Sequence, residues 1–243
     1  MAASRPVVKR DDTTVRDDPL REEELESRWE AAPAIGVVIG LQLLLALVSK
    51  TQSWKVWVFS WWVWLIPVGA EAVLLVPLAW HRPRRRLEQM GLRRTVVFAL
   101  LALVSLANAF LVFAVIASLV RGQEKSGAQL LLKAVTVWGT NVITFGLWFW
   151  VLDRGGPVRR RRPNPPPPDF LFPQLDDPKL AAPGWEPHLL DYVYVAFTNA
   201  IAFSPTDVLP LTRLAKLLML FESALSALTI LLVAARAVNI FSS

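Results

Sequence analysis

Apolar residues fall into long runs that are separated by short polar or arginine-rich segments. A helix rises about 1.5 Å per residue, so roughly 20 residues cross a hydrocarbon core about 30 Å thick. Five of the runs approach or exceed this length, which predicts an all-α polytopic membrane protein with about five transmembrane helices. The predicted spans are 34–48, 56–80, 95–120, 130–152 and 211–240.

A further apolar run, 189–203, is too short to cross and ends at the break Ser204-Pro205-Thr206-Asp207. A short helix can enter a membrane only where protein or water covers its end. The layout therefore predicts one re-entrant, pore-like helix that leads into the last span.

The polar segments divide the chain into regions. Residues 1–30 form a polar tail, for which we expect disorder or a charged helix and no signal peptide. Residues 31–152 form a four-span bundle, and residues 189–243 form the pore-like segment with the final span. Between them, residues 153–188 form a loop rich in proline and arginine, without helical periodicity, which predicts an extended, partly polyproline conformation.

Composition agrees with a membrane protein, because 54% of the residues are hydrophobic and 11 are tryptophan. The chain has no cysteine, which excludes disulfides and thiolate metal sites. Its net charge of +6 could indicate nucleic acid, but most basic residues lie in short loops between spans, where membrane topology explains them.

Arginine is concentrated in alternate loops. Arg82 to Arg94 and the run Arg159 to Arg162 are strongly basic, whereas the intervening loops carry only Lys50, Lys55, Arg121 and Lys125. The positive-inside rule places the N-terminus and both basic loops in the cytoplasm. Richness in alanine, arginine and proline favours a bacterial inner membrane.

The C-terminal residues resemble the pore module of potassium channels, in which a pore helix, a filter and an inner helix follow one another. The resemblance is carried by Phe197-Thr198-Asn199, Asp207, Pro210, Thr212, Ala215-Lys216, Glu222 and Ala235-Arg236. It implies a pore loop entering from outside, whereas the basic loops place the preceding segment inside. The side of entry is left open.

The resemblance implies a degenerate selectivity filter. Aligning Asp207 with the family's aspartate places residues 202–206 at the filter, where both family glycines are missing. Rings of backbone carbonyls need residues that tolerate positive φ, which Pro205 cannot adopt. We therefore expect a permeating ion to contact side-chain oxygens, those of Thr198, Ser204, Thr206 and Asp207. Asp207 could instead cap the final helix.

Polar residues inside the predicted spans are further candidates. Glu71 predicts an ion or proton site or a structural hydrogen bond, and Asn108 and Asn141 predict interhelical hydrogen bonds or ligand contacts. On the last helix Glu222, Ser226, Thr229 and Arg236 share one face. This polar stripe predicts either pore lining or close helix packing.

Enzymatic signals are weak. His81 and His188 lack metal-ligand spacing, and no nucleophile motif or phosphate loop occurs, so we expect no enzyme, cofactor or metal. The leading hypothesis is a channel-like homo-oligomer in the lipid bilayer, with monovalent cations as candidate permeants and no strong potassium selectivity. The alternative is a non-conducting membrane scaffold or partner-binding subunit.

Overall fold

The computed structural model describes residues 19–55, 58–79, 93–122, 126–161, 163–204 and 207–241. Helices dominate these ranges, and a small antiparallel ladder pairs β1 (Phe170–Leu171) with β2 (Leu209–Pro210). The α-helices are α1 Pro19–Thr51, α2 Leu65–Ala79, α3 Arg93–Val120, α4 Gly127–Leu152, α5 Pro157–Arg160, α6 Pro173–Asp176, α7 Leu189–Ala202 and α8 Arg213–Phe241. Short 3-10 turns occur at Trp61–Trp64, Asp153–Gly155 and Pro178–Leu180.

Four helical stretches are long and apolar enough to cross a membrane. They are Pro33–Thr51, Val97–Val120, Gly127–Gly155 and Arg213–Ala235. The helical class predicted from the sequence is thereby confirmed, and the four candidate spans are consistent with a membrane protein. The predicted span 56–80 corresponds to a shorter apolar stretch, Trp61–Val73. The charged end of the predicted tail, from Pro19, is continuous with the first span in one helix.

Helix α4 is the centre of the bundle. It packs against α1, α3, α7 and α8, and it is buried on nearly every side. Its buried residues are mostly apolar, but they include polar ones such as Asn141 and Thr144, which need partners within the bundle. One apolar cluster surrounds its C-terminal half, including Phe145 and Phe149, and a second surrounds Leu130 and Val137 near its N-terminal end.

The loop that follows α4 folds against the end of the bundle. The sequence predicted an extended, partly polyproline segment, but α5, β1 and α6 interrupt it. Phe170 and Phe172 are buried and pack their rings against Phe149 and Tyr192. These aromatic contacts hold the loop close, which periodicity alone could not indicate.

Helix α7 lies antiparallel to α4. Gly146 of α4 allows this approach, because a Cβ atom there would meet the Val193 backbone at 2.9 Å. Further along, the Trp138 and Phe197 rings make an edge-on contact. After α7 the chain returns to β2, and β2 pairs with β1 beside the C-terminal end of α4. The start of α7 and the start of α8 therefore lie at the same end of the bundle.

Candidate functional site

A chain of hydrogen bonds crosses the middle of the bundle. Asn108 of α3 donates to the side-chain oxygen of Asn141 on α4, at 3.3 Å. Asn141 in turn donates to the Ser226 hydroxyl of α8, at 3.1 Å, and to the backbone carbonyl of Glu222. All of these side chains are at most 2% exposed. Three helices are thus joined through one amide.

The same network of hydrogen bonds reaches α7 through the carboxyl group of Glu222. Asn199 donates from its amide nitrogen to Glu222 Oε2 at 2.7 Å and to the Met219 carbonyl at 3.0 Å. Ser223 of α8 donates back to the Asn199 carbonyl. The other carboxyl oxygen, Glu222 Oε1, has no hydrogen-bond partner within the described parts of the chain. Glu222 therefore joins α8 to the last turn of α7.

The polar stripe predicted on the last helix faces this network within a single copy of the chain. Glu222, Ser226 and Thr229 are at most 5% exposed. Thr229 donates to the Leu225 carbonyl of its own helix. Arg236 lies in α8, but its side chain is outside the described structure. The arrangement matches the packing interpretation of the stripe more closely than a free pore surface.

Glu71 belongs to a second buried pair, between α1 and α2. Gln42 donates from its amide nitrogen to Glu71 Oε1 at 2.8 Å. Gln42 is fully buried and Glu71 is 3% exposed. Within the described residues, Gln42 Oε1 and Glu71 Oε2 have no hydrogen-bond partner. Glu71 thus forms a structural hydrogen bond, which was one of its two interpretations from the sequence.

A buried ionic cluster, formed by Asp153, Arg160 and Tyr192, closes the end of α4. The Tyr192 hydroxyl donates to Asp153 Oδ2 at 2.6 Å and accepts a hydrogen bond from Arg160. Arg160 lies 3.9 Å from Asp153 Oδ2 and over the Tyr192 ring. It also donates to the Trp150 carbonyl, one of the last in α4, which lacks a partner within the helix.

The cluster also positions the return to α8. Asp153 Oδ1 accepts hydrogen bonds from the backbone N–H groups of Asp169 and Phe170. Asp169 Oδ1 accepts from the Thr212 hydroxyl at 2.7 Å, and Thr212 accepts from the Ala215 N–H. That last contact is the geometry of a helix N-cap. The capping role that the sequence offered to Asp207 therefore falls to Thr212.

The segment between α7 and β2 is the most exposed part of this region. Ser204 and Asp207 are exposed, and Phe203 is 47% exposed with a left-handed φ of 54°. Thr198 donates within α7, to the Val195 carbonyl. Thr206 and Pro205 lie outside the described residues. Of the predicted site residues, Thr198, Ser204 and Asp207 therefore belong to α7 and the segment after it, apart from the buried network.

Sequence analysis missed the partners in these contacts. Gln42, Asp153, Asp169 and Tyr192 were not predicted from the sequence, and Arg160 was noted only as part of the run Arg159 to Arg162. The available signal was Asp153, an acid directly after the last apolar residue of a span and close to an arginine run. Tyr192 and Gln42 gave no signal, because their role depends on contacts distant in sequence.

No metal-binding group of three or more histidine or acidic side chains occurs among the residues that the structure describes. Comparison with known proteins gives no assignment: no family model, curated protein or solved structure matches the chain.

Proposed function

We propose that the chain is a channel-like membrane protein in which α7, the segment 203–212 and α8 act as a pore module in a homo-oligomer. The conducted species are monovalent cations, without strong preference for potassium. The observation that carries the proposal is the return of the chain, after α7, to the end of the bundle from which α7 began.

The dimensions support a re-entrant helix. Helix α7 has 14 residues and is therefore about 21 Å long, which is less than the roughly 30 Å of a hydrocarbon core. It runs beside α4, a candidate span, from Tyr192 near the end of α4 to Phe197 opposite Trp138. In the proposed arrangement, the far end of α7 lies at hydrocarbon depth.

The exposure of residues 203, 204 and 207 supports an oligomer around water. Non-helical backbone at membrane depth occurs only where protein buries it or where it lines a water-filled cavity. In a single copy, Phe203, Ser204 and Asp207 are exposed. Further copies of the chain, arranged about an aqueous axis, meet this requirement.

The segment also supports weak selectivity. Stacked carbonyl rings need several residues that tolerate positive φ. Among the described residues 203, 204 and 207, only Phe203 has a positive φ. A cation that passes this segment contacts the side-chain oxygens of Ser204 and Asp207.

A non-conducting scaffold is the second candidate. The observation that favours it is the burial of Glu222, Ser226 and Thr229 within one copy, where they join α8 to α4 and α7. In this case the pore module serves as packing, and the face made by Phe203 and Ser204 contacts a partner protein.

Cysteine accessibility tests the proposal directly, since the native chain has no cysteine. In proteoliposomes, a Ser204→Cys variant should react with a water-soluble, membrane-impermeant maleimide. Leu228→Cys is the matched control, because Leu228 is 50% exposed on α8 and should face lipid. Reaction of Ser204→Cys only after detergent solubilisation would contradict an aqueous pore and favour the scaffold.

A further inference from the structure

Two arginines in the turn after α4 have no ion-pair partner among the residues that the structure describes. Arg160 pairs with Asp153, and Arg161 pairs with Glu186 at 3.0 Å. Within the described residues, the side chains of Arg154 and Arg159 form no ion pair or hydrogen bond, and Arg154 Nε is buried without a partner. The arginine run is therefore not uniform.

Gly155 directly follows Arg154 in the chain and contacts the side chain of Arg159. Arg154 precedes it with a left-handed φ of 51°, a conformation that is costly for a residue with a side chain. The Arg159 side chain lies across Gly155, since a Cβ atom on Gly155 would meet Arg159 Cδ at 2.8 Å. A backbone N–H bond from Arg154 to Asp169 Oδ2 fixes the turn. The side chain of Arg159 thus lies beside the residue that follows Arg154.

The location indicates what they bind. Gly155 is the last residue of the candidate span Gly127–Gly155, so the arginines lie where a helix leaves the hydrocarbon. Among the described residues, three carboxylates, of Asp153, Asp169 and Glu186, lie near four arginines, Arg154, Arg159, Arg160 and Arg161. Arg160, Arg161, the Arg154 backbone and Thr212 contact these carboxylates, so positive charge is in excess, and Arg162 adds to it in the sequence.

We propose that Arg154 and Arg159 bind the phosphate of an anionic phospholipid headgroup. Guanidinium groups match phosphate oxygens through two parallel N–H bonds, and they are less strongly hydrated than lysine. A lipid phosphate at the membrane surface lies at the height of this turn. The negative charge of an anionic lipid balances the excess positive charge there. The site does not depend on whether the chain conducts.

Native mass spectrometry of the full chain in detergent tests the proposal with short-chain phosphatidylglycerol, phosphatidylcholine and inorganic phosphate. We expect tighter binding of phosphatidylglycerol than of phosphatidylcholine. Arg154→Gln and Arg159→Gln should each weaken phosphatidylglycerol binding about fivefold, the effect of one basic residue at a membrane surface. Arg121→Gln, an exposed arginine after α3 at the opposite end of the bundle, should leave it unchanged.

Gly155→Ala separates position from charge. It keeps every arginine, but it displaces the Arg159 side chain and strains the backbone at Gly155, whose φ is 79°, so it should weaken phosphatidylglycerol binding as Arg159→Gln does. Arg159→Gln changes an exposed side chain that forms no ion pair or hydrogen bond within the described parts of the chain, and its circular dichroism should match that of the native chain. Unchanged phosphatidylglycerol binding in both arginine variants would overturn the proposal. Competition by millimolar inorganic phosphate at the same two arginines would overturn the lipid assignment in favour of free phosphate.

Discussion

At the scale of single residues, the bundle depends on polar groups that satisfy one another away from water. Unpaired polar groups are costly in an apolar environment, so Asn141, Asn199 and Tyr192 each join two or more segments. Sequence analysis identified the polar residues within apolar runs, such as Asn108, Asn141 and Glu222. It could not pair them, because pairing depends on which helices are neighbours.

Removal of the Tyr192 hydroxyl should destabilise the fold. Tyr192→Phe leaves Asp153 Oδ2 without its hydroxyl donor and removes one acceptor from Arg160. We expect a loss of about 1–3 kcal/mol in unfolding free energy, the cost of leaving buried polar groups unsatisfied. Thermal unfolding in detergent measures this. Tyr194→Phe is the matched control, since Tyr194 is 48% exposed two residues further along α7, and equal melting temperatures for both variants would contradict the prediction.

Substitutions at Glu71 distinguish a hydrogen-bonding role from a charged one. Glu71→Gln keeps an oxygen that accepts from Gln42, so the unfolding free energy should change by less than about 1 kcal/mol. Glu71→Leu leaves the buried Gln42 amide unpaired and should cost about 1–3 kcal/mol. Equilibrium unfolding in detergent tests the difference. A costly Glu71→Gln would indicate that the carboxyl group has a role beyond this hydrogen bond.

At the scale of elements, the contact of α4 with α7 decides how the last third of the chain is arranged. Sequence predicted both helices within a few residues of their observed ends, because length and hydropathy are local properties. The ladder between β1 and β2 and the helical turns of the loop were missed. They depend on contacts such as Phe170 with Phe149, which join residues distant in sequence.

Glycines in α4 provide a matched test of this contact. Gly146→Ala places a Cβ atom 2.9 Å from the Val193 backbone and should cost about 1–3 kcal/mol through overpacking. Gly139→Ala, whose nearest neighbour would be Leu41 Cδ1 at 3.7 Å, should be neutral or stabilising by up to about 1 kcal/mol, since alanine favours helix. Melting temperatures of the two variants decide the matter. A Gly146→Ala variant as stable as Gly139→Ala would show that the two helices are not in close contact.

At the scale of the whole molecule, four candidate spans and the short helix α7 give an asymmetric bundle. Its basic turn at Arg154–Arg161 and the starts of α7 and α8 share one end. The orientation expected from the arginine-rich loops places this end in the cytoplasm.

Labelling of introduced cysteines tests this orientation. Ser126 precedes α4, and Asn164 follows α5; both are exposed, and they lie beyond opposite ends of α4. In intact cells, an impermeant maleimide should label Ser126→Cys from outside and leave Asn164→Cys unlabelled until the cells are opened. External labelling of both positions would contradict a single crossing by α4.

The most direct test of the channel proposal is the current carried by the purified chain in planar bilayers with potassium on one side and sodium on the other. We expect cation currents with a potassium-to-sodium permeability ratio near one, because residues 202–206 lack the glycines of a carbonyl filter. Absence of current from protein whose folding is confirmed by circular dichroism would contradict it and leave the scaffold as the function.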